Sequence, residues 1–359
     1  MFRMRSIRRN LLVIVLLAIM PALAIILYSG LEERRRAIEE ARQNTLLLTH
    51  AMAESQQEFS RSVRQMLSTL ALLPQVQRLD REQCREILGA MLEQHPNYLN
   101  IALTDRHGIV QVAGRSLRII DLADRKHVRA AMEREAFSVG EYIMSRTGSG
   151  TPAFAFAYPV YGLEKQLRGV LTAAIRMADF ANFYDVSNLP EQSFVAVTDH
   201  QGVRLFYYPS RKDTNPIGQP IKKNSWEKAH RAGEPGIFSG SGSDGVRRIF
   251  AFEPVRFEPE DPPYMYVWTG IPEAYVLAPA NATLKRNLLL LVAAAVLALF
   301  IAMLIAKKTL LSPIGSLVEL SRRYARGDLE ARSTLTSAPD EFLTLTRAFH
   351  DMADTLAQN

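Results

Sequence analysis

Two glycine-rich segments are the first candidates for chemistry in this chain of 359 residues. They read Thr147-Gly-Ser-Gly-Thr151 and Ser239-Gly-Ser-Gly-Ser-Asp-Gly245. A glycine-rich loop can cradle a phosphate when a Lys and a helix follow it. The first segment has neither, and the second lies between strand-like runs. Both are therefore predicted to be hairpin turns and not phosphate loops.

The nucleophilic and metal-binding side chains give no reactive site either. The seven histidines show no metal-ligand spacing, and Cys84 is the only cysteine, so no intramolecular disulfide is possible. His350-Asp351 could suit a phosphoryl-accepting histidine, but ATP-binding glycine boxes are missing. The sequence predicts no catalytic residue, no metal and no cofactor, so the chain is expected not to be an enzyme.

Two uncharged apolar runs lie near the two ends of the chain. Each has about the 20 residues that a helix needs to cross a bilayer, which predicts membrane-spanning helices at 11–29 and 287–306. The alternative for the first run is a cleaved signal peptide, because Ala22-Leu23-Ala24 resembles a cleavage site. The run continues through Leu27, which favours an uncleaved anchor.

The net charge of +6 could indicate nucleic-acid binding, but many of the basic residues flank the apolar runs. Such flanks mark the cytoplasmic side of a membrane. Residues 1–10 and the segment after 306 are therefore predicted inside, and the region between the spans outside. The chain is expected in the inner (cytoplasmic) membrane, with lipid but not nucleic acid as a partner. The flanking residues are Arg3, Arg5, Arg8, Arg9, Lys307 and Lys308.

Residues 30–74 are predicted to form one long helix that leaves the membrane. Mostly apolar residues recur there at steps of seven, which indicates one buried stripe, and Pro74 suits its end. The stripe could be the seam of a dimer stalk or could pack on its own domain, and we expect both along its length. The repeating positions are Leu31, Ile38, Thr45, Met52, Phe59, Met66 and Leu73.

The region after this helix is an internal repeat, with three matching segments in the same order. Asp105 matches Asp199 at an offset of 94, Pro159 matches Pro254 at 95, and Thr172 matches Thr269 at 97. Each unit is predicted to be strand, Asp-x-x-Gly turn, strand, helix and further antiparallel strands. The matched segments are Ile101–Ile109 with Val195–Val203, Phe156–Val160 with Ala251–Val255, and Val170–Ile175 with Val267–Ile271.

At these segments the chain resembles the double Cache (dCache) family of extracellular sensors. The most telling stretches are Asp121-Leu-Ala-Asp-Arg-Lys-His-Val-Arg129 and Phe156-Ala-Tyr-Pro-Val160. The resemblance implies an α+β fold in which two tandem PAS-like antiparallel-sheet modules stand on the long helix. We place the membrane-distal module at 75–189 and the membrane-proximal module at 190–283, and we expect the proximal module mainly to transmit.

The resemblance also implies a ligand site in the distal module. Arg125 matches the position that contacts a ligand carboxylate, Tyr142 matches another pocket position, and Asp179 matches an acid that receives an ammonium group. His127 and Met144 stand where amino-acid-binding relatives have an aromatic and an acidic residue. An Arg125 and His127 pair suits a small anion such as an organic acid, because a forked guanidinium matches a carboxylate.

Residues 307–359 resemble the HAMP relay domain. Two short heptad helices joined by a connector make a parallel four-helix bundle when two chains pair, so the resemblance implies a homodimer that switches between two packings. The matching residues are Pro313, Gly327, Asp328, Leu329, Glu341, Phe349 and Met352.

The sequence therefore favours a transmembrane signal-transduction receptor that binds a small ligand outside and acts on a cytoplasmic partner or output domain. One alternative is the sensory part of a histidine kinase or a nucleotide cyclase, whose catalytic domain would begin after Asn359. Another is a chemoreceptor-like protein, which would need a long signalling hairpin.

Overall fold

The computed structural model describes residues 7–115, 119–147, 150–184, 186, 189–210, 213–326, 328, 330–332 and 339–358. The chain forms two compact units. One is Arg35–Ala278, and the other combines Met1–Arg34 with Pro279–Asn359. The α+β class predicted from the sequence is confirmed, because a long N-terminal helix, two antiparallel sheets and C-terminal helices follow one another.

Three helices precede the first sheet: α1 (Ile7–Ala71), α2 (Pro74–Gln77) and α3 (Arg81–Gln94). Pro74 stands at the first position of α2, where the missing N–H costs nothing. Asp80 caps α3, since its side chain accepts the backbone N–H groups of Glu82 and Gln83 at 3.2 Å each.

The stripe of α1 that is buried between Thr45 and Leu70 is partly polar. Thr49 shares a 2.5 Å hydroxyl hydrogen bond with Thr269, and the Oγ of Ser60 accepts from the hydroxyl of Tyr264 at 2.8 Å. A buried hydroxyl must find a partner to avoid a desolvation cost. The helix is therefore joined to the proximal sheet by hydrogen bonds as well as by apolar packing.

Two five-stranded sheets have the same strand order. The distal sheet runs β2-β1-β5-β4-β3 and the proximal sheet runs β7-β6-β10-β9-β8. The distal module comprises β1 (Tyr98–Asp105), β2 (Val110–Ala113), α4 (Lys126–Arg134), β3 (Ser138–Met144), β4 (Pro152–Tyr161), β5 (Leu167–Arg176) and a 3-10 turn (Met177–Phe183). The proximal module comprises β6 (Phe194–Asp199), β7 (Arg204–Tyr208), α5 (Lys223–Ala232), β8 (Gly236–Ser241), β9 (Arg247–Val255) and β10 (Met265–Pro272).

The internal repeat is confirmed at its Asp-x-x-Gly turns. Asp105 Oδ1 accepts the N–H groups of His107 and Ile109 at 2.9 and 3.0 Å. Asp199 Oδ1 accepts the corresponding pair of N–H groups at 2.9 Å each. The glycines of both turns, at positions 108 and 202, have φ near +80°, a conformation that favours glycine.

The offset predicted for the last repeat segment is wrong by one residue. Leu171 pairs with Leu103 in the distal sheet, and Val267 pairs with Val197 in the proximal sheet, so the offset is 96 and not 97. A slip of one residue moves every side chain to the opposite face of a strand. The burial of Leu171 and Val267 in one common core fixes the register.

The two faces of the distal sheet carry side chains of different size. On β4, Phe154 and Phe156 belong to the core shared with α1. The alternate residues Ala153, Ala155 and Ala157 lie in small clusters on the other face, where Ala157 packs with Ala131 of α4. Side chains alternate between faces along a strand, so the face under α4 is lined by small residues.

The chain continues with α6 (Glu273–Ala306), which begins in the first unit and ends in the second, a π-helical turn (Lys307–Leu311), α7 (Ser312–Ala325) and α8 (Asp340–Gln358). By length and composition, α1 and the helical stretch that begins with α6 could each cross a bilayer. The two helices approach closely at Gly30, because a Cβ there would lie 2.7 Å from Leu284 Cδ1.

Candidate functional site

Arg125 lies at the N-terminus of α4, where it is the N-cap residue without a side-chain capping bond. Its Nη2 donates to the carbonyl of Met144 on β3 at 3.2 Å. Its Nε is buried and has no hydrogen-bond partner in the described part of the chain. Burial and the nearby charge of Arg146 lower the pKa of this guanidinium. Arg125 is thus a half-buried cation with one donor that the described residues leave unused.

His127 lies deeper, between α4 and the sheet, and is fully buried. Its Nδ1 has no hydrogen-bond partner among the described residues and would lie 3.2 Å from a Cβ at Gly140. Burial, reinforced by the charge of Arg125, lowers the pKa of His127 to about 3. The imidazole is therefore neutral at ordinary pH, and it can offer a hydrogen bond but not a positive charge.

Tyr142 lies where the distal and proximal modules meet. Its hydroxyl contacts the sulfur of Met144 at 3.4 Å, and its N–H donates to Asp199 Oδ2 at 3.1 Å. The pairing of β3 with β4 shifts register just before Tyr142. The ring also packs on Gly218, where a Cβ would lie 2.6 Å from the phenol.

Asp179 forms an ion pair, since its carboxylate accepts from Arg176 Nε at 2.9 Å. Met144 brings Arg125 and Tyr142 together through its carbonyl and its sulfur. Within the described residues, no hydrogen bond or ion pair links Asp179 to Arg125, His127 or Tyr142. The four predicted residues thus divide into a cluster around α4 and a separate ion pair.

A cavity of about 270 Å³ lies in the proximal module, and sequence reasoning did not find it. Its apolar walls are the rings of Phe194, Phe250 and Trp268. Its cations are Arg204, Lys222 and Arg248. Its other lining residues are Ala196, Tyr207, Thr214, Asn215, Pro216, Gln219, Pro220, Ile221, Ser225, Ser241, Gly242 and Ser243.

Arg204 is the unusual cation of this cavity. The residue is only 6% exposed, and its Nη1 donates to the carbonyl of Pro216 at 2.8 Å. Its Nε is buried and unpartnered in the part of the chain that the structure describes. Burial lowers the pKa of this guanidinium, which reflects the cost of keeping a charge away from water.

Arg248, in contrast, has a carboxylate partner. It is 2% exposed, and its Nη1 and Nη2 each lie 2.7 Å from one oxygen of Asp244. Its Nε donates to the carbonyl of Gln192 at 2.7 Å. The guanidinium beside Asp244 lowers the pKa of that carboxyl to about 2. The Arg248 charge is therefore balanced within the fold.

A comparison of the two repeats could have found both arginines. Arg204 pairs with Thr198 as Val110 pairs with Thr104, so an arginine replaces a buried valine. At the offset of 95, Arg248 replaces Ala153. A charged residue at a repeat position that is apolar in the other copy indicates a special environment, because unpaired charges are costly to bury.

The predicted relay residues lie on α7, on α8 and between them. Pro313 is buried, Asp328 accepts from Arg323 at 2.6 and 2.9 Å, and Glu341 lies in the first turn of α8. Phe349 is half-buried and Met352 is 48% exposed. Gly327 and Leu329 lie outside the described residues. Among the described residues, no group of three or more His, Cys, Asp or Glu side chains is placed to hold a metal ion.

A two-sheet sensor joined to a helical relay defines a class of signalling receptors, and comparisons with known proteins agree. The profile of the Cache domain, in its dCache form, matches residues 33–280, and the profile of the HAMP domain matches residues 306–358. The chain therefore belongs to the double Cache family and carries a HAMP domain after its Cache domain. Both resemblances seen in the sequence are confirmed. A search of curated proteins found no match.

Solved structures share the fold of the two-sheet unit, Arg35–Ala278. The extracellular domain of rpHK1S-Z16, a candidate histidine kinase, is 19% identical with a TM-score of 0.54, and the match covers 67% of this chain and 98% of that one. The ligand-binding domain of the Campylobacter jejuni chemoreceptor Tlp3 matches in complex with 4-methylisoleucine (15% identity, TM-score 0.51, covering 67% and 94%) and with L-valine (16%, 0.50, covering 68% and 97%).

Proposed function

We propose that this chain is an inner-membrane signalling receptor that binds a small carboxylate ligand outside the cytoplasm and relays the signal through its HAMP domain. The order of the parts supports this function best. The Cache domain at 33–280 lies between two helices that could span a bilayer, and the HAMP domain follows at 306–358. A HAMP domain passes a signal to a cytoplasmic partner or output domain, so the role proposed for these parts of the chain is sensing and relay.

The ligand site is the cluster around the N-terminus of α4. Arg125 Nε is buried and has no hydrogen-bond partner among the described residues, and a forked guanidinium can bind a carboxylate with two parallel hydrogen bonds. His127 and Tyr142 complete the site as a neutral hydrogen-bonding group and an aromatic wall. The small side chains of β4 lie on the same face of the sheet as α4.

The ligand is a carboxylate without an ammonium group. Tlp3 binds L-valine, which carries both groups, but here Asp179 is already paired with Arg176. The position where amino-acid-binding relatives have an acid is Met144, which is 48% exposed. Asp179 is the only carboxylate among the four predicted site residues, so these residues offer no free carboxylate to balance an ammonium charge, and an uncompensated charge in a half-buried site is unfavourable.

The receptor works as a homodimer through its HAMP helices. Four apolar side chains on α7 and α8 are 38–48% exposed in the single chain, and a second copy would bury them as the core of a four-helix bundle. The signal is a change between two packings of that bundle, biased by α6. The exposed residues are Ile314, Val318, Leu345 and Met352.

The test compares two ligands that differ by one ammonium group. The full chain in nanodiscs is heated with 3-methylbutanoate, L-valine or 3-methylbutanamide. We expect stabilisation by the carboxylate only, of about 2.7 kcal/mol at a hundredfold excess over Kd, which is several degrees in Tm at about 2–4 °C per kcal/mol. Arg125→Ala should abolish this shift.

Arg129→Ala is the matched control, because Arg129 lies one turn further on α4 and is exposed. It should leave the ligand-induced shift unchanged. An unchanged shift in Arg125→Ala, or a larger shift with L-valine than with 3-methylbutanoate, would refute the assignment of the site or of the ligand class.

A further inference from the structure

We propose that the cavity of the proximal module is a second binding site, for a small aromatic carboxylate held by Arg204. The site shares no residue with the cluster around Arg125, so it goes beyond the proposed function and stands or falls separately. In this assignment the proximal module receives a signal of its own and does not merely transmit one from the distal module.

The charged side chains that line the cavity favour an anionic ligand. Among the described residues, its lining includes three cationic side chains and no Asp or Glu. Arg248 is balanced by Asp244, but neither Arg204 nor Lys222 pairs with a carboxylate among the described residues. Instead, Lys222 Nζ donates to the carbonyls of Ser241 and Gly242 at 3.3 and 2.8 Å.

Arg204 is the residue that would bind this anion. Only 6% of Arg204 is exposed, and the side chain lines the cavity. Its Nε has no hydrogen-bond partner among the residues that the structure describes. A buried guanidinium without a counter-charge is destabilising. A bidentate carboxylate would supply both the missing charge and the missing acceptor.

The aromatic walls of the cavity favour a ligand with a flat apolar ring. The rings of Phe194 and Tyr207 are stacked, with centroids 5.4 Å apart and planes 7° apart. The ring centroids of Phe194 and Phe250 are 5.5 Å apart. Trp268 completes the wall. The volume of about 270 Å³ equals that of about nine waters at ~30 Å³ each. An aromatic ring with one carboxylate is of suitable size.

The cavity is held open by hydrogen bonds of the fold itself. Arg204 N–H donates to the carbonyl of Gln219 at 2.9 Å, and the N–H of Gly218 donates back to the carbonyl of Arg204 at 2.8 Å. Asn215 Oδ1 accepts from the hydroxyl of Ser243 at 2.9 Å. A site whose loop is already fixed loses little entropy when a ligand binds.

The experiment uses tryptophan emission as a local reporter. The chain has two tryptophans, Trp226 and Trp268, both in the proximal module, and only Trp268 lines the cavity. The full chain in nanodiscs, both native and as Trp226→Phe, is titrated with benzoate to about 10 mM, tenfold above a millimolar Kd. We expect a saturable change in emission. Benzamide, which lacks the charge, should bind at least about tenfold more weakly.

Three variants test the site, and a fourth separates it from the distal cluster. Arg204→Gln should weaken benzoate binding at least about tenfold. Ser225→Phe should block the cavity without removing a charge, so a folding defect in one variant does not decide the result. Arg231→Gln, which removes an 80% exposed cation of the same module, should bind normally. Arg125→Ala should also leave benzoate binding unchanged.

Several results would overturn the proposal. The first is the absence of a saturable response to benzoate in the native chain. The second is equal binding of benzoate and benzamide. The third is binding that survives both Arg204→Gln and Ser225→Phe. If Arg125→Ala alone abolished the response, benzoate would be a ligand of the distal cluster, and the second site would be refuted while the proposed function would stand.

Discussion

Removal of Asp244 should leave a buried positive charge uncompensated. Arg248 is 2% exposed, and the two oxygens of Asp244 lie 2.7 Å from its two terminal nitrogens. Breaking a buried ion pair by removing one partner costs about 3–5 kcal/mol. Because domains unfold with about 5–15 kcal/mol, Asp244→Ala should remove a large share of the stability of the proximal module.

The same pair predicts how stability depends on pH. The pKa of the Asp244 carboxyl is lowered from 3.8 to about 2. The contribution of the ion pair to the free energy of unfolding is therefore fully present above pH 3.8, and it is lost as the pH falls through about 2. The difference in the free energy of unfolding between the native chain and Asp244→Ala should therefore be constant near neutral pH and shrink between about pH 4 and pH 2.

The assay is urea unfolding of the full chain, followed by the emission of its two tryptophans. Arg247→Ala is the matched control, because Arg247 forms an ion pair of 2.8 Å with Glu273 but is 71% exposed. Its loss should cost at most about 1 kcal/mol. The double variant with Asp244→Ala and Arg248→Met should be more stable than Asp244→Ala alone, since an apolar residue needs no counter-charge.

The reasoning fails if Asp244→Ala costs no more than Arg247→Ala. It also fails if the double variant is no more stable than the single one. Either result would show that the Arg248 charge is solvated or balanced by groups other than Asp244.

Two further predictions concern the backbone and pH. Gly169→Ala should destabilise the chain by about 3 kcal/mol or more, because its Cβ would lie 1.8 Å from a backbone carbonyl of β1. Gly89→Ala, in α3 with nothing within 4 Å, should stabilise it by about 0.5–1 kcal/mol. The hydrogen bond of His50 Nδ1 to Glu253 raises the pKa of that imidazole above 6.5. The contribution of this hydrogen bond to the free energy of unfolding should be present below pH 6.5 and be lost as the pH rises through the raised pKa of His50. His50→Gln should remove this dependence of stability on pH.

Chemical unfolding at fixed pH measures the glycine pair, and each variant is the control of the other. Equal effects of the two substitutions would contradict the strand register. For His50, the measurement is the unfolding midpoint between pH 5 and pH 8. A native chain whose midpoint follows that of His50→Gln throughout this range would contradict the contact.

The repeated strand pattern was predictable because it depends on local rules. Asp105 and Asp199 stand in turns whose geometry requires a side-chain acceptor and a glycine three residues later. Alternation of Ala with Phe on β4 follows from the period of a strand. The offset of the third segment could not be fixed this way, since Val170 and Leu171 are both apolar and only burial chooses between them.

The polar stripe of α1 and the proximal cavity were beyond such rules. A heptad pattern finds Met52 and Phe59, but Thr49 and Ser60 are buried only because partners on the proximal module bond their hydroxyls. Arg204 in β7 matches the buried Val110 of the first repeat, but the repeat does not show that its guanidinium lines a cavity, because that depends on the loop residues that pack over it. Whether Arg125, His127, Tyr142 and Asp179 bind a ligand stays a prediction.

Strand β10 ends at Pro272 and α6 begins at Glu273, so the chain passes from sheet to helix without a linker. The same strand is hydrogen-bonded to β6 and β9 on its two sides and carries both Trp268 and Thr269. A displacement of the strand along its axis would therefore act directly on the first turn of the helix. Two glycines inserted after Pro272 would introduce a flexible linker at this point and should uncouple α6 from β10 while both sheets stay folded.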